Sequence, residues 1–304
     1  MKKILIALTI LACGCAQETE ITNEHVIKIA GSESEKPLSM VLSDEYHNAH
    51  PAIDFEVSGG GTDDGISALI TGRADIANAS RIISSEELNT AKASGINIQQ
   101  LIIAQDVIAI ITHPSVGIEY ISVEDLTRIY NGSITNWKEL GGPDEMITPV
   151  GRSKGSGTRT YMLHRLGLDN FGPRTLEFET YEDIVNTVAA TRGTIAYVSN
   201  RYIYYGNNQI NKSVWVMNVS LNGMPFTSPL NKENILYGDY PLMRPLFQYY
   251  ASTITNEQKA FLEYELSEEG QQQVEKAGYV RMSENQKNIN RNNSTIVSGD
   301  SLSL

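Results

Sequence analysis

The 304-residue chain is almost free of cysteine, with Cys13 and Cys15 near its start and none after them. This pattern rules out a disulfide framework in the rest of the chain. The apolar run at 4–12 is also short, because a membrane-spanning helix needs about 20 apolar residues. A basic start at Lys2 and Lys3, this run and the small residues after it are typical of an export signal. We therefore predict a lipoprotein signal peptide over 1–15 and a polar, acidic tether over 16–25.

Positive charge is scarce as well. The chain has 24 Lys and Arg against 36 Asp and Glu, a formal net charge of −12, and loss of Lys2 and Lys3 with the signal would make it −14. An acidic surface argues against nucleic acid as a partner and does not attract anions in general. If the ligand is an anion, local geometry must bind it.

Signatures of catalysis and of metal binding are missing. The five histidines show no zinc-ligand spacing; they are His25, His47, His50, His113 and His164. There is no Gly-x-Ser-x-Gly elbow, and the GSGT string at 155–158 lacks the lysine of a P-loop. The adjacent Asp63 and Asp64 fit the first turn of a helix better than an acid/base pair. We predict no catalytic residue, no metal site and no cofactor.

The two cysteines fit a lipid attachment site. Ile-Leu-Ala precedes Cys13 and Ala-Cys-Gly precedes Cys15, and either string resembles the bacterial lipobox, in which the cysteine thiol is acylated. The pattern does not choose between the two positions. A signal that ends in incidental cysteines is the alternative, although an exported protein rarely keeps a lone thiol.

Strand and helix patterns alternate along the rest of the chain, which favours α/β architecture with mostly parallel sheets and helices on both faces. The predicted strands cover 26–30, 52–57, 74–79, 106–112, 147–150, 194–198 and 240–250. The predicted helices begin near 38 and 66 and cover 123–130, 159–166, 181–190 and 256–277. We expect two lobes, the first formed by 26–108 and 238–282 and the second by 109–237. The polar segment 283–304 is expected to be disordered.

Three loops place hydroxyl residues and glycine where a strand gives way to a helix. They contribute Ser32 and Ser34, then Thr62, then Ser156, Gly157 and Thr158. The first turn of a helix has unsatisfied N–H donors and a partial positive charge, so such loops can bind a tetrahedral oxyanion. For any single loop helix capping is the simpler explanation, but three such loops in one alternating chain favour an anion site.

Two arginines flank these loops. Arg152 lies four residues before Ser156, so its planar guanidinium could reach the same helix start and bind oxyanion oxygens in bidentate fashion. Arg81 ends a predicted strand, at the edge where ligands of parallel sheets bind. The alternatives are a solvated surface arginine for Arg152 and an ion pair with Glu86 or Glu87 for Arg81.

Several strings together resemble the phosphate-binding protein of bacterial phosphate ABC transporters, and their order and spacing agree over nearly all of 26–282. The strings are GSES at 31–34, GTDDGI at 61–66, GRADIANASR at 72–81, IYNGSITNW at 129–137, RSKGSGTR at 152–159, YPLMRPL at 240–246, SEEGQ at 267–271 and AGYV at 277–280.

The resemblance implies a two-lobed periplasmic-binding-protein fold that closes on phosphate in the cleft between its lobes. It also implies an extracytoplasmic lipoprotein, monomeric and without enzymatic activity, that hands phosphate to an ABC permease and touches the membrane only through its lipid. By position, the ligand-binding residues are Ser34, Thr62, Arg81, Arg152, Ser156, Gly157 and Thr158.

Two positions depart from part of that family. Some members have, at the position of Arg81, an aspartate that accepts the proton of hydrogen phosphate, and Glu33 stands where a small residue is usual. Without an acceptor the ligand hydroxyl would be left unpaired. Asp63, Asp64 and Glu33 are the candidate acceptors.

Three other functions remain open on the sequence. One is binding of a different tetrahedral oxyanion, such as sulfate or molybdate. The second is a surface lipoprotein that uses the same fold to sense phosphate. The third, an exported phosphohydrolase, would need a nucleophile or metal cluster that the motifs do not provide.

Overall fold

The computed structural model describes residues 26–205 and 209–293. The predictions for 1–25, including the signal, the tether and both cysteines, lie outside these residues, as does the tail beyond 293. Among the described helices, none combines the length and the apolar character needed to cross a membrane.

Strands and helices alternate through the first third of the chain and again through the middle. The strands are β1 (Val26–Gly31), β2 (Asp54–Gly60), β3 (Ile76–Ala79), β4 (Ile98–Thr112), β5 (Tyr120–Ser122), β6 (Thr148–Arg152), β7 (Leu176–Phe178), β8 (Thr194–Ser199), β9 (Tyr204–Tyr205), β10 (Gln209–Ile210), β11 (Trp215–Val216), β12 (Asn218–Ser220) and β13 (Met243–Ala251). The α-helices are α1 (Lys36–Ala49), α2 (Thr62–Ile70), α3 (Ser85–Ala93), α4 (Val123–Tyr130), α5 (Gly157–Leu166), α6 (Tyr181–Ala190), α7 (Lys232–Leu236), α8 (Asn256–Leu266), α9 (Glu268–Lys276) and α10 (Glu284–Asn293). Short 3-10 helices cover Pro114–Val116, Trp137–Leu140 and Asn200–Ile203.

One long strand joins the two halves of the sheet, whose order is β2-β1-β3-β13-β4-β8-β6-β7. Residues Ile98 to Val107 of β4 pair antiparallel with β13, and Ile108 to Thr112 pair antiparallel with β8. On either side of this junction the pairs β2-β1, β1-β3, β8-β6 and β6-β7 are parallel. The predicted α/β fold with mixed, mostly parallel sheets is confirmed.

Helices cover both faces of each half. In the first half, α1, α8 and α9 pack on one face, where Leu38, Leu42 and Phe261 are fully buried, and α2 and α10 pack on the other. In the second half, α4 and α5 lie on one face and α6 on the opposite one. Alternate residues of β4 therefore enter two different cores, Ile110 on one side and Ile111 on the other. The strand reads as a continuous apolar run for this reason.

The single helix predicted over 256–277 is wrong. The structure has two helices, because α8 ends at Leu266 and Ser267 adopts an extended conformation. The Ser267 hydroxyl then accepts a hydrogen bond from the Gly270 N–H and caps α9. A side chain at Gly270 would lie 2.1 Å from the Tyr264 carbonyl oxygen, so glycine allows the two helices to meet this closely.

The prediction of disorder over 283–304 is wrong for Glu284–Asn293, which form α10. Asn290 is buried, and its amide donates to the Ile102 carbonyl and accepts from the Ile102 N–H. Ile289 packs against the neighbouring core. A composition rich in Asn and Gln hid this helix, since its attachment depends on one buried amide and one isoleucine.

Candidate functional site

The hydroxyl groups of the first half meet at the carboxyl ends of β1 and β3. Ser32 and Ser34 follow β1, Thr62 is the first residue of α2, and Ser80 follows β3; all four are buried. The Ser32 Oγ lies 2.9 Å from the Ser34 Oγ and donates to the Ser80 Oγ at 3.1 Å. The Ser80 N–H donates to the Thr62 Oγ1 at 3.1 Å. The sequence thus brings three separate segments into one hydroxyl cluster.

A close approach of α2 to β1 gives the cluster its shape. A Cβ at Gly65 would lie 2.6 Å from the Ala30 carbonyl oxygen, so only glycine lets the first turn of α2 rest on the end of β1. The Gly61 N–H also donates to the Gly31 carbonyl at 2.9 Å. As a result, the N-terminal end of α2, with its partial positive charge, lies beside the cluster.

Arg152 comes from the second half, as the last residue of β6, and is 1% exposed. Its backbone N–H donates to the Tyr197 hydroxyl at 3.0 Å, and its guanidinium lies over the Tyr181 ring at 4.6 Å from the centroid. Within 26–205 and 209–293, no carboxylate pairs with this guanidinium, and its buried Nε has no hydrogen-bond partner. A buried cation in this state is costly unless an anion joins it.

The loop after Arg152 leads into α5. The Ser156 hydroxyl accepts from the Arg159 N–H at 3.4 Å and caps the helix. The helix begins with Gly157 and Thr158, both buried. A Cβ at Gly157 would lie 2.5 Å from both the Thr62 Oγ1 and the Ser80 Oγ, so the helix start lies directly against the hydroxyl cluster of the first half.

Further contacts join the two halves around this point. The Asp63 N–H donates to the Gly155 carbonyl at 3.2 Å, and the Tyr202 hydroxyl donates to the Glu33 carbonyl at 2.7 Å. The halves are therefore in contact across the site, and the ends of α2 and α5 that carry partial positive charge face the same small volume.

Two functional candidates escaped the sequence analysis. Arg244, at the start of β13, is 3% exposed and forms an ion pair of 3.0 Å with Asp106 on β4. Its Nη2 also donates to the Ser34 Oγ at 3.0 Å and to the Thr158 Oγ1 at 2.7 Å. The second Asp106 oxygen accepts from the Ser199 hydroxyl at 2.7 Å. An aspartate inside a long apolar strand was the available signal, because such a buried charge requires a partner.

Charges in the cluster do not balance. Arg152 and Arg244 are both buried, whereas Asp106 pairs with Arg244 and no carboxylate of the described residues pairs with Arg152. Burial raises the pKa of Asp106, while the Arg244 charge and the Ser199 hydroxyl act in the opposite direction. The arrangement can accept a small anion with several oxygens.

The Arg81 guanidinium contacts acidic side chains, not the hydroxyl cluster. It forms an ion pair with Glu87, as the ion-pair alternative for this residue anticipated, and a further one with Asp63. Asp63 is exposed and is engaged by Arg81, and Asp64 is also exposed. The Glu33 carboxylate accepts from the Gly60 N–H at 2.8 Å. None of these three carboxylates has a hydrogen bond to the cluster hydroxyls within the described ranges.

A second buried polar group lies beneath α1. Glu35 and Glu265 are both fully buried, and Glu35 has no hydrogen-bond partner for either carboxylate oxygen among the described residues. Burial, reinforced by the Glu265 charge, raises the pKa of Glu35 well above its usual range. Burial raises the pKa of Glu265 to about 8, although Gln248 donates to it at 3.1 Å. The Glu265 side chain is therefore a neutral acid in the folded protein at mildly acidic pH.

In the part of the chain that is described, no three His, Cys, Asp or Glu side chains are grouped so that they could hold a metal ion.

Comparisons with known proteins agree with this geometry. A family model described as a PBP superfamily domain matches residues 16–269. The chain is 29% identical over 281 residues to the phosphate-binding protein PstS of Bacillus subtilis (strain 168), with 88% of each chain covered. It is 26% identical over 299 residues to phosphate-binding protein PstS of Borreliella burgdorferi, covering 92% of this chain and 99% of that one.

Solved structures give the same picture. One is an X-ray structure, with bound phosphate, of a Clostridium perfringens protein assigned as a phosphate ABC transporter substrate-binding protein. It matches with a TM-score of 0.74 and 29% identity, over 85% of this chain and all of that one. An ABC-type phosphate transport receptor from Vibrio cholerae matches with a TM-score of 0.65 and 28% identity, over 84% of this chain and all of that one.

Proposed function

The chain belongs to the PBP superfamily, and on that premise we propose that it binds inorganic phosphate outside the cytoplasm and delivers it to an ABC import permease. The observation that carries this proposal is Arg152. Its guanidinium is buried without a carboxylate partner among the described residues, and it lies over the ring of Tyr181, whose hydroxyl is hydrogen-bonded to the Thr158 hydroxyl. A phosphate ion supplies the missing negative charge and enough oxygens to accept from all of these groups.

Groups from both sides of the cleft bind the ligand in this proposal. Ser34 and Thr62 belong to the first lobe, formed by 26–108 and 238–282, and Arg152, Ser156, Gly157 and Thr158 belong to the second, formed by 109–237. Because the two sets approach each other only in the closed arrangement, the ligand stabilises that arrangement. Arg81 joins the site only if its ion pairs with Glu87 and Asp63 open.

Phosphate is preferred over other tetrahedral oxyanions because relatives that align along most of this chain are named for phosphate, and one related structure contains it. The acceptor for the proton of hydrogen phosphate is not assigned to Asp63, Asp64 or Glu33, whose carboxylates point to other partners or to solvent. A cluster hydroxyl or a backbone carbonyl is the remaining type of acceptor.

The protein acts as a binding module with no turnover and no cofactor. The described site contains hydroxyls and cations but no nucleophile paired with a general base, which a phosphohydrolase would require. We further propose that the mature protein is a monomer attached to the outer face of the cell membrane by lipid on Cys13 or Cys15, with no nucleic-acid partner. The net charge of −12 supports the last point.

Titration calorimetry with phosphate, sulfate and molybdate tests the proposal. We expect saturable binding of phosphate at one site per chain, with weaker binding of the other two anions and no product released on incubation with phosphomonoesters. A preference for sulfate or molybdate would instead assign the protein to the other oxyanion. Release of inorganic phosphate from an ester would make it an enzyme.

A further inference from the structure

Arg244 connects the hydroxyls of the two lobes. Its Nη2 donates to the Ser34 Oγ at 3.0 Å and to the Thr158 Oγ1 at 2.7 Å, which belong to the β1 loop and to the start of α5. Its Nη1 donates to the Ser80 carbonyl at 3.2 Å. One side chain, 3% exposed, therefore contacts all the segments that form the cluster except the start of α2.

A guanidinium can donate hydrogen bonds but cannot accept them. The Ser34 and Thr158 oxygens therefore accept from Arg244 and use their own protons toward other partners; the Thr158 hydroxyl is also hydrogen-bonded to the Tyr181 hydroxyl. In the first lobe the direction continues: Ser34 donates to Ser32, because the Ser32 proton is used toward Ser80. In this way Arg244 determines the direction of the hydroxyl chain: the Ser34 and Ser32 protons are used within it, and the proton at its far end, on Ser80 or Thr62, can be donated to an anion.

Arg244 also lies where the lobes join. Its carboxylate partner Asp106 precedes Val107, the last β4 residue paired with β13, and Ile108 is the first paired with β8. Asp106 in turn accepts from Ser199, at the end of β8. The guanidinium is thus fixed to the strand that connects the lobes, and reaches Thr158 when they are together.

We infer that Arg244 is a positioning residue for the bound oxyanion: it sets the direction of the hydroxyl chain from Ser34 through Ser32 to Ser80 so that the proton at its far end is donated to the ligand, and it joins the two lobes in the closed form. The inference rests on the proposed phosphate binding. The alternative is that Arg244 only neutralises the buried Asp106, in which case any neutral pair of similar shape could replace the two residues.

A double variant separates these two roles. Arg244→Gln alone leaves the Asp106 carboxylate buried and unpaired, which destabilises the fold whatever the role of Arg244. Asp106→Asn/Arg244→Gln removes both charges and keeps similar side-chain volumes. We expect the double variant to regain most of the urea resistance lost in Arg244→Gln but to bind phosphate about thirtyfold more weakly than the native protein, as when a hydrogen-bonding partner of a charged ligand is lost. Arg128→Gln, on the exposed surface of the second lobe, is the control and should bind like the native protein.

A second variant covers the case in which the double variant does not fold. Arg244→Lys keeps a cation beside Asp106, but an ammonium group lacks the planar fork whose Nη1 reaches the Ser80 carbonyl while its Nη2 reaches Ser34 and Thr158. We expect near-native stability and about tenfold weaker phosphate binding.

The outcomes assign the role of Arg244 clearly. Native-like affinity in a folded double variant, or in Arg244→Lys, would overturn the inference, as would failure of both variants to fold, since the role would then be structural. Absence of phosphate binding by the native protein would instead reject the proposed function itself.

Discussion

At the scale of single residues, the decisive feature is a buried charge without a carboxylate partner. Asp106 pairs with Arg244, whereas no carboxylate of the described residues pairs with Arg152, whose guanidinium lies over the ring of Tyr181. A stacked ring compensates a buried guanidinium incompletely, since such contacts contribute about 2 kcal/mol when desolvated. The protein without ligand therefore carries an energetic cost at this position, and an anion relieves it.

Replacement of Arg152 by methionine should weaken phosphate binding by about 2 kcal/mol or more, because the ligand would lose its main charged partner. Without ligand, the free energy of unfolding should stay the same or rise, since a buried cation is removed while the apolar stem is kept. Calorimetry and urea unfolding measure the two quantities. An unaltered affinity would mean that Arg152 does not contact the ligand, and Arg128→Met provides the comparison at an exposed site.

The buried acid Glu265 makes stability depend on pH. Its pKa is about 8 in the folded protein, against an ordinary value of 4.5. Between these values the folded chain holds a proton that the unfolded chain has released, so stability is full below about pH 4.5 and falls as the pH rises toward 8. The slope from one such group approaches 1.4 kcal/mol per pH unit, roughly 2.303RT.

Glu265→Gln should reduce this loss. Urea unfolding at pH 5 and pH 8 should show a smaller decrease for the variant than for the native protein, and Glu263→Gln, on the exposed side of the same helix, should behave like the native protein. An equal decrease in native protein and Glu265→Gln would show that the folded chain does not hold a proton there. Glu35, whose pKa is raised by the same burial, contributes in the same direction.

At the scale of secondary-structure elements, the site is built from helix starts. Ser34, Thr62 and Thr158 could be predicted from sequence because each follows a strand pattern and precedes a helical one, and the ends of parallel strands share one edge of the sheet. Arg244 and Asp106 could not, since 138 positions separate them and only the pairing of β13 with β4 brings them together. The break between α8 and α9 was missed because the helical pattern of the sequence continues across it. Only a capping serine and a glycine mark the position of the break.

The contact between α5 and α2 predicts an effect of Gly157→Ala. The added methyl group would lie 2.5 Å from two oxygens of the first lobe, which have little freedom to move because both are buried. The closed arrangement should become strained while the separate lobes are unaffected. We expect phosphate affinity to fall about tenfold or more, with little change in thermal stability without ligand. Thr160→Ala, one turn into α5, is the preferred control. Gly167→Ala is a poorer one, because Gly167 has a positive φ, although a Cβ there would meet nothing within 4 Å. Native-like affinity in Gly157→Ala would argue against closure at this contact.

At the scale of the whole molecule, the sheet is continuous through β4 while the two halves keep separate cores. Alternation of strands and helices was enough to predict the α/β class. The helix α10 was not predictable from composition, because a single asparagine amide satisfies both backbone groups of Ile102. A polar composition indicates that a segment has no large apolar face. The helix α10 packs without such a face, so its composition gave no sign of it.

Attachment to the membrane leads to a prediction about the mature chain. Replacement of both Cys13 and Cys15 by serine should release the protein from the membrane fraction, because no lipid could be attached. Intact-mass measurement of the native mature protein should give a chain that begins at one of these cysteines and carries the additional mass of acyl groups. A mature chain that begins elsewhere, without added acyl mass, would contradict the proposed anchor.

The central claim is that phosphate is held between the two lobes by groups from both. A crystal structure of the native protein grown with phosphate tests this most directly. We expect tetrahedral density within hydrogen-bonding distance of the Arg152 guanidinium and of the Thr62 and Thr158 hydroxyls, with the Gly157 end of α5 beside it. Density bound to one lobe only, or a cluster that remains free of phosphate at saturating concentration, would contradict it.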